Sequence, residues 1–469
     1  MIDYSAAYTD LYQLTMAEVY FLQGRKDEQT VFDYFFRKLP FNGGYAVFAG
    51  LETLLDVLEK LKFKENELEY LKRMGFDNKF IRYLKGFRFN GNIYSTKEGD
   101  IIFPTRPVLQ VEARITEAQI IETILLNILN FQSLIATKAS RMRSAAGKRK
   151  LIDFGLRRAP GPGGYYSSRA AVIGGFNGTS NVRAGFDFNI PVAGTMAHSF
   201  IQSYDHELTA FRDYAEIQPD NCILLVDTYN TLKSGVPNAI IVGKEMLKRG
   251  QKLLGIRLDS GDLAYLAKES RKLLDNAGLN DVRITASNQL DEYVIRSLIE
   301  QKAPIDIFGV GTNLVTGSPD ASFDGVYKLA LSNGKPSIKL SETIVKITLP
   351  HKKQVYRLKD NEGNWIGADA VTLFDEKEIG KIYDPFEQGK SMNVDMYQRE
   401  PLLEPAVKDG IRKTEKKSVE EIAAYSFYRQ ECLPPEFKRF DNPHIYKIGI
   451  SEKLKSAREK LIDEWKEDK

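Results

Sequence analysis

Cysteine is almost missing from this chain. Its 469 residues hold two, Cys222 and Cys432, too far apart for any metal-ligand spacing. That rules out a disulfide framework and makes a reducing compartment, the cytoplasm, the expected location. A charge excess of one sign is missing too: 66 basic residues face 63 acidic ones, for a net charge of +3. No global field draws the chain to nucleic acid or to a membrane, so any anion site must be local. Nor is there a long apolar run. The most apolar helical stretch, 115–134, is interrupted by Glu117, Glu122, Asn127, Asn130 and Gln132. Those residues predict a buried helix rather than a membrane span. The opening MIDYSAAYTDLYQLTMAEVYF lacks the basic and then apolar order of a secretory signal, so none is expected. Histidine is scarce as well (His198, His206, His351 and His444), which makes the one inside GTMAHSF, 194–200, conspicuous.

What is present reads as an ordinary globular chain, 43% hydrophobic and 28% charged, long enough for two or three domains. Residues 1–150 mix helical spacing, as over 54–76, with β patterning. FRFNGNIYS, 87–95, predicts a hairpin turning at Asn90-Gly91, and PVLQVEAR alternates like a half-buried strand. Between 151 and 325 short apolar strands recur: LIDFG, IPVAGTM, CILLVDT, LLGIRLDS, VRITASN and IDIFGVG. Helix candidates separate them, about 30 residues per unit, which predicts parallel strands with right-handed crossovers. The expected fold is α/β, with a (β/α) barrel-like core; an open doubly wound sheet is the alternative. Over 326–400 β patterning returns, with VYKLALSNGKPSIKLS reading as two strands about an Asn333-Gly334 turn. These segments are assigned to one discontinuous α+β domain with residues 1–150, which end in the buried linking helix. Residues 401–469 are expected to form a charged, helical C-terminal region.

Strands buried in such a core should be apolar, yet nearly every one ends in polar residues. Asp153 precedes Arg157, Thr195 precedes His198, and Asp227, Arg257 with Asp259, Asn288 and the Gly309/Gly311/Thr312 turn follow. In β/α barrels those C-terminal ends build the active site. GVGTN, 309–313, has the small residues and the hydroxyl to hold a phosphate on backbone N–H groups, or it is a tight turn. In RLDSGD, 257–262, Arg257 suits a phosphate and Asp259 suits ribose hydroxyls or a magnesium-bound diphosphate, while Asp262 reads equally as a helix cap. Asp227, at the end of ILLVD, would be costly to bury unpaired. Phe154 and Arg157 in DFGLRRA fit a planar anionic heteroaromatic; a core phenylalanine and a solvated arginine fit as well. His198 is either a packed turn histidine or a reactive group.

With TDLYQLTM, FFRKLPFNGGYAVFAGLE, TEAQIIETILLNILN, DFGLRRA, GGFNGTSNV, GTMAHS, VDTYNT, IRLDSGDL, ASNQLDE and FGVGTNLVT in this order and spacing, the chain resembles the nicotinate phosphoribosyltransferases. The resemblance implies synthesis of nicotinate mononucleotide from nicotinate and phosphoribosyl pyrophosphate in NAD salvage, with ATP and magnesium as cofactors. It makes His198 the histidine that ATP phosphorylates, and Asp227 and Asp259 catalytic beside it. Phe154 would stack on nicotinate from one side and Tyr12 of a second subunit from the other, so a homodimer with shared sites is implied. Arg157 would pair with the pyridine carboxylate or a nearby phosphate. Ser180 stands where nicotinamide-using relatives carry Asp, and its hydroxyl can donate to an acid. Arg257, Gly309, Gly311 and Thr312 would hold ribose and phosphate. Arg37, with Lys339, Lys346, Lys352 and Lys353 less firmly, would meet phosphates. One departure is His351 in TLPHKK, where the family more often has glycine. Competing readings are a nicotinamide or quinolinate phosphoribosyltransferase, and a non-catalytic barrel that senses a phosphorylated metabolite.

Overall fold

The computed structural model describes residues 4–340, 347–387 and 389–467. It is a mixed α/β chain that divides into two compact units, Met1–Thr137 with Ser322–Lys469, and Lys138–Ala321. Among the described residues no helix is long and apolar enough to cross a membrane. The stretch expected to be a buried helix forms Ile115–Ile120 and Glu122–Ala146. Ile120, Ile121, Ile124 and Leu125 are completely buried there.

The discontinuous unit is built on two large sheets and a small two-stranded one. In the seven-stranded one, Gln29–Phe36 lies between Leu109–Arg114 and Gly325–Ser332, antiparallel to both. Phe32 stacks on Tyr327 across that second pairing, with ring centroids 4.7 Å apart. Gly325–Ser332 thus ties the chain after 322 to the N-terminal strands. The predicted Asn333-Gly334 turn is present, with φ of 49° and 75° at the two residues, as a tight hairpin turn requires. The hairpin predicted at Asn90-Gly91 is not. Only Asn92–Ser95 is a strand, and it pairs with Leu109–Arg114 and Glu404–Lys408. Gly91 serves close approach instead: a Cβ there would lie 2.5 Å from that of Ala113. The segment after 401, expected to be helical, supplies strands as well. Glu404–Lys408 joins the first sheet and Lys447–Ser451 the second, beside helices Val419–Cys432 and Glu452–Glu467. KIGIS, 447–451, has the short β-branched pattern that a charged average conceals.

The second unit carries six parallel strands: β1 (Lys150–Asp153), β2 (Gly178–Thr179), β3 (Ile223–Leu225), β4 (Gly255–Leu258), β5 (Arg283–Ser287) and β6 (Ile307–Val310). Their order is β2-β1-β6-β5-β4-β3, and a bridge from Thr179 to Val192 prolongs the sheet beyond β2. The sheet curls strongly. Five strand spacings between the Val192 position and β4 would span about 24 Å if flat. Yet Arg257 Nη1 on β4 donates to the hydroxyl of Thr195, three residues past Val192, at 3.1 Å.

Because side chains alternate along a strand, the register sorts the strand-end residues. Ile152 pairs with Gly309, Gly309 with Ser287, Thr285 with Arg257, and Arg257 with Leu225. Two residues further along each strand, the same face therefore receives Phe154, Asp259 and Asp227. Asp153 falls on the opposite face.

Candidate active site

Arg257, Ser287, Asp259, His198 and Thr228 share one network. Arg257 donates from Nε to Ser287 Oγ at 2.8 Å and from Nη2 to Asp259 Oδ1 at 2.7 Å. Ser287 Oγ in turn donates to the same carboxylate oxygen. Burial alone would raise the Asp259 carboxyl, but the Ser287 hydrogen bond and the Arg257 guanidinium outweigh it and hold the group below its ordinary value. With Oδ1 so occupied, Oδ2 is left to face His198, 3.8 Å from Nε2. The other ring nitrogen of His198 lies 3.0 Å from the hydroxyl of Thr228. The imidazole is thus hydrogen-bonded at Nδ1 and faces a carboxylate at Nε2 while 39% of its surface stays open, so it is no packed turn residue. Asp227 Oδ2 accepts from the Asp259 amide at 2.8 Å and from the Ser260 hydroxyl at 2.6 Å. Its Oδ1 is buried without a hydrogen-bond partner among the described residues.

Phe154 stands beside this group, with the Arg257 guanidinium 5.3 Å from its ring centroid. Gly309 makes room for it, since a Cβ would come 2.4 Å from the ring. That glycine, expected at a phosphate, has a packing role visible in the structure. Gly311 caps the short helix Thr312–Val315, whose first amides have no carbonyl within the helix to bond. Thr312 is exposed there.

The parity rule takes Asp153 out of the site. Fully buried, it accepts from the Gly155 amide at 2.8 Å, Ser168 Oγ at 2.8 Å and Thr179 Oγ1 at 2.9 Å. It locks the turn after β1 to the helix Gly163–Ile173. Arg157 is exposed in the turn Leu156–Arg158. Ser180 is half-buried just beyond β2, its amide bound to the Asp153 carbonyl at 2.8 Å and its hydroxyl without a protein partner among the described residues. Sequence reading passed over Ser287 and Thr228, although both sit in quoted motifs. The available signal was a hydroxyl at the C-terminal end of a strand, directly after Asp227 in the case of Thr228.

In the discontinuous unit, Tyr12 is 51% exposed on the helix Leu11–Leu22, next to exposed Leu11 and Tyr8. Arg37 follows the strand Gln29–Phe36, its Nε buried without a hydrogen-bond partner among the described residues. Two of the lysines are spent on structure. Lys353 is completely buried, paired with Asp33 at 2.8 Å and donating to the Leu349, Pro350 and His351 carbonyls. Lys352 lies 4.2 Å and 4.0 Å from the ring centroids of Tyr94 and Phe374 and pairs with Glu112 at 3.1 Å. Neither ammonium is available to a phosphate as placed. Lys339 is exposed, and Lys346 lies outside the described residues.

His351 has φ of 67°, a left-handed conformation that explains the glycine more common there. A non-glycine side chain pays about 1–2 kcal/mol in that region, while glycine loses about 0.5–1 kcal/mol of chain entropy. His351→Gly should therefore be neutral to about 1 kcal/mol stabilising in urea unfolding. His351→Val should be clearly destabilising; equal midpoints for the two would refute strain at this position.

Three family models match the chain: the nicotinate phosphoribosyltransferase N-terminal domain over residues 8–130, the nicotinate phosphoribosyltransferase family over 149–382, and the C-terminal domain over 352–458. The nicotinate phosphoribosyltransferase of Bacillus subtilis is 44% identical over 474 residues, covering 99% of this chain and 96% of that protein. That of Dictyostelium discoideum is 37% identical over 507 residues, covering 95% and 86%. The crystal structure of human nicotinic acid phosphoribosyltransferase superposes with a TM-score of 0.88 at 31% identity, covering 97% of this chain and 99% of that one.

Proposed function

The chain belongs to the nicotinate phosphoribosyltransferase family, and from that premise we propose that it couples ATP cleavage to phosphoribosyl transfer through a phosphate carried on His198. The observation that carries this reading is the open imidazole, hydrogen-bonded to Thr228 at one ring nitrogen and facing the Asp259 carboxylate with the other. A neutral imidazole can attack the terminal phosphorus of ATP, displacing ADP, and the resulting N–P bond is labile enough to be lost to water later. The strong curl of the parallel sheet supports a barrel-like core with this site at its C-terminal rim.

Transfer itself then follows from the geometry. The sugar of phosphoribosyl pyrophosphate gains positive charge at C1 as diphosphate departs. Asp227 and Asp259 face that charge, and Arg257 meets the leaving oxygens. Nicotinate attacks through its ring nitrogen, stacked on Phe154 and held by Arg157 and the Ser180 hydroxyl at its carboxylate. The free amides of Gly311 and Thr312 suit the 5′-phosphate. Among the described residues no three metal-ligating side chains cluster. Asp227 Oδ1 alone, with substrate oxygens, fits a magnesium ion, which keeps few protein ligands and neutralises a leaving diphosphate. Tyr12 and Arg37, exposed or unpartnered within their own unit, fit a site shared with a second copy in a homodimer. The near balance of charge and paucity of cysteine fit a cytoplasmic enzyme.

The test is formation of nicotinate mononucleotide from nicotinate and phosphoribosyl pyrophosphate, with and without ATP. An ATP-independent rate and KM would overturn the coupling. Mixing the impaired His198→Ala and Tyr12→Ala proteins should restore up to about a quarter of the ATP-stimulated activity if subunits exchange at random and share sites; no gain over either parent would count against sharing. Ser180→Asp should weaken nicotinate through like-charge repulsion by about 10- to 100-fold in kcat/KM and favour nicotinamide. An unchanged ratio between the two substrates would refute that role.

A further inference from the structure

The concave face that presents the catalytic group at one end of the strands opens at the other end into a second cavity. Lys150 begins β1 and Arg283 begins β5, and both lie on the same face as Arg257 by register. Around them a cavity of about 860 Å³ is lined by Lys148, Arg149, Lys150, Arg271, Arg283 and, among its acids, Asp281 and Asp306. Five cations thus meet two carboxylates in the lining, although Arg271 is already paired with Asp275 at 2.8 Å. Asp306 accepts from the Ile284 amide at 2.8 Å, and Asp281 pairs with Lys252 at 3.9 Å.

Cations at this end of a β/α unit have an ordinary use, because helix C-termini point there and attract positive charge. Two of the five instead hold the loops that follow helices. Arg271 donates to the Val282 and Leu279 carbonyls at 2.6 Å and 2.8 Å, and Arg149 Nε donates to the Ile305 carbonyl at 2.9 Å. Those bonds also make both guanidinium groups rigid. Lys148, Lys150 and Arg283 do nothing of the kind. Among the described residues none of them has an ion-pair partner, and they converge on one concavity. The rest of the lining is Val282, Pro304, Ile305, Ile307 and Asn280, with no aromatic ring on which a base could stack.

We propose that this cavity is an anion site, separate from the catalytic rim, that takes a chain of two or three phosphates. The fixed fork of Arg149 and the unpaired Arg283 suit phosphate oxygens in bidentate geometry, while Lys148 and Lys150 add point charge. The volume falls within the range of small-ligand pockets. Absence of an aromatic wall makes the phosphates the recognised part, whether they come as inorganic oligophosphate or as the tail of a nucleotide.

Lysine acetylation read by mass spectrometry tests this on the intact protein. Inorganic tripolyphosphate at millimolar concentration should slow labelling of Lys148 and Lys150 about fivefold relative to exposed Lys460, the occupancy expected at about four times Kd. Arg283→Ala should remove most of that protection and leave mononucleotide synthesis unchanged, whereas Asp227→Asn should leave the protection intact. ATP should protect at concentrations similar to tripolyphosphate if the phosphate chain is what binds. The proposal fails if labelling is unchanged, or if sodium chloride of equal ionic strength reproduces the effect. It also fails if Arg283→Ala is still protected, or if only ATP protects.

Discussion

His198→Ala protein incubated with ATP labelled at its terminal phosphate should carry no acid-labile, base-stable label, whereas the unmodified protein should. The expected loss is complete because no other histidine stands in this network: His206, His351 and His444 make none of its contacts. Mononucleotide synthesis should survive at a low level, since Asp227, Asp259, Arg257 and Phe154 remain. Stimulation by ATP should vanish, a loss of about 10- to 100-fold at limiting substrate, the size of typical coupling free energies. Thr228→Val should fall between the two, because it removes the hydroxyl 3.0 Å from one ring nitrogen without removing the nucleophile. Label that persists at full stoichiometry in His198→Ala would move the phosphate elsewhere and end the coupling proposal.

Asp259→Asn should lower kcat by about 10²–10³-fold, as removal of a preorganised charge at a developing one does. The side chain keeps its shape but loses the charge that faces His198 and balances Arg257. The Arg257 guanidinium, 14% exposed, would then lack its carboxylate. Ser287→Ala supplies the contrast. It deletes two hydrogen bonds, the one it accepts from Arg257 Nε and the one it donates to Asp259 Oδ1, about 0.5–1.5 kcal/mol each and so a loss of up to about a hundredfold. The sign of its pH effect is also set. The Ser287 hydrogen bond holds the Asp259 carboxyl down against burial together with the Arg257 guanidinium, so removing it should raise that pKa. The acid limb of the rate profile should therefore move to higher pH in Ser287→Ala, with the rate lost as pH falls through the raised value. An acid limb that does not move would show that Asp259 does not control the low-pH rate. If Asp259→Asn retained wild-type kcat, the carboxylate would be structural only.

Much of the site was legible from residue order. Arg257, Asp259, Asp227, His198 and Phe154 were singled out at strand ends, and all five meet. Asp153 was singled out by the same rule and does not join them. Its carboxylate turns to Ser168 and Thr179 because one residue along a strand reverses the face. Gly309 was read as a phosphate contact, and its structure shows room for the Phe154 ring. The Asn-Gly pairs make the same point in the fold. Asn333-Gly334 turns a hairpin and Asn90-Gly91 does not, since the second depends on a neighbouring strand that local sequence cannot announce.

The sequence by itself determined the alternation of short apolar strands and helices, the parallel core that follows from it, and the identity of the chemical groups at the strand ends. Periodicity and residue type are local properties, and they survive without knowledge of the partner strand. Tertiary structure alone decided which of those groups share a face, that Lys352 and Lys353 are consumed by Glu112, Asp33 and three carbonyls, and that Ser287 joins Arg257 to Asp259. Each of these depends on register and on contacts between residues distant in the chain, and a buried charge is free or spent only by virtue of what the fold sets beside it.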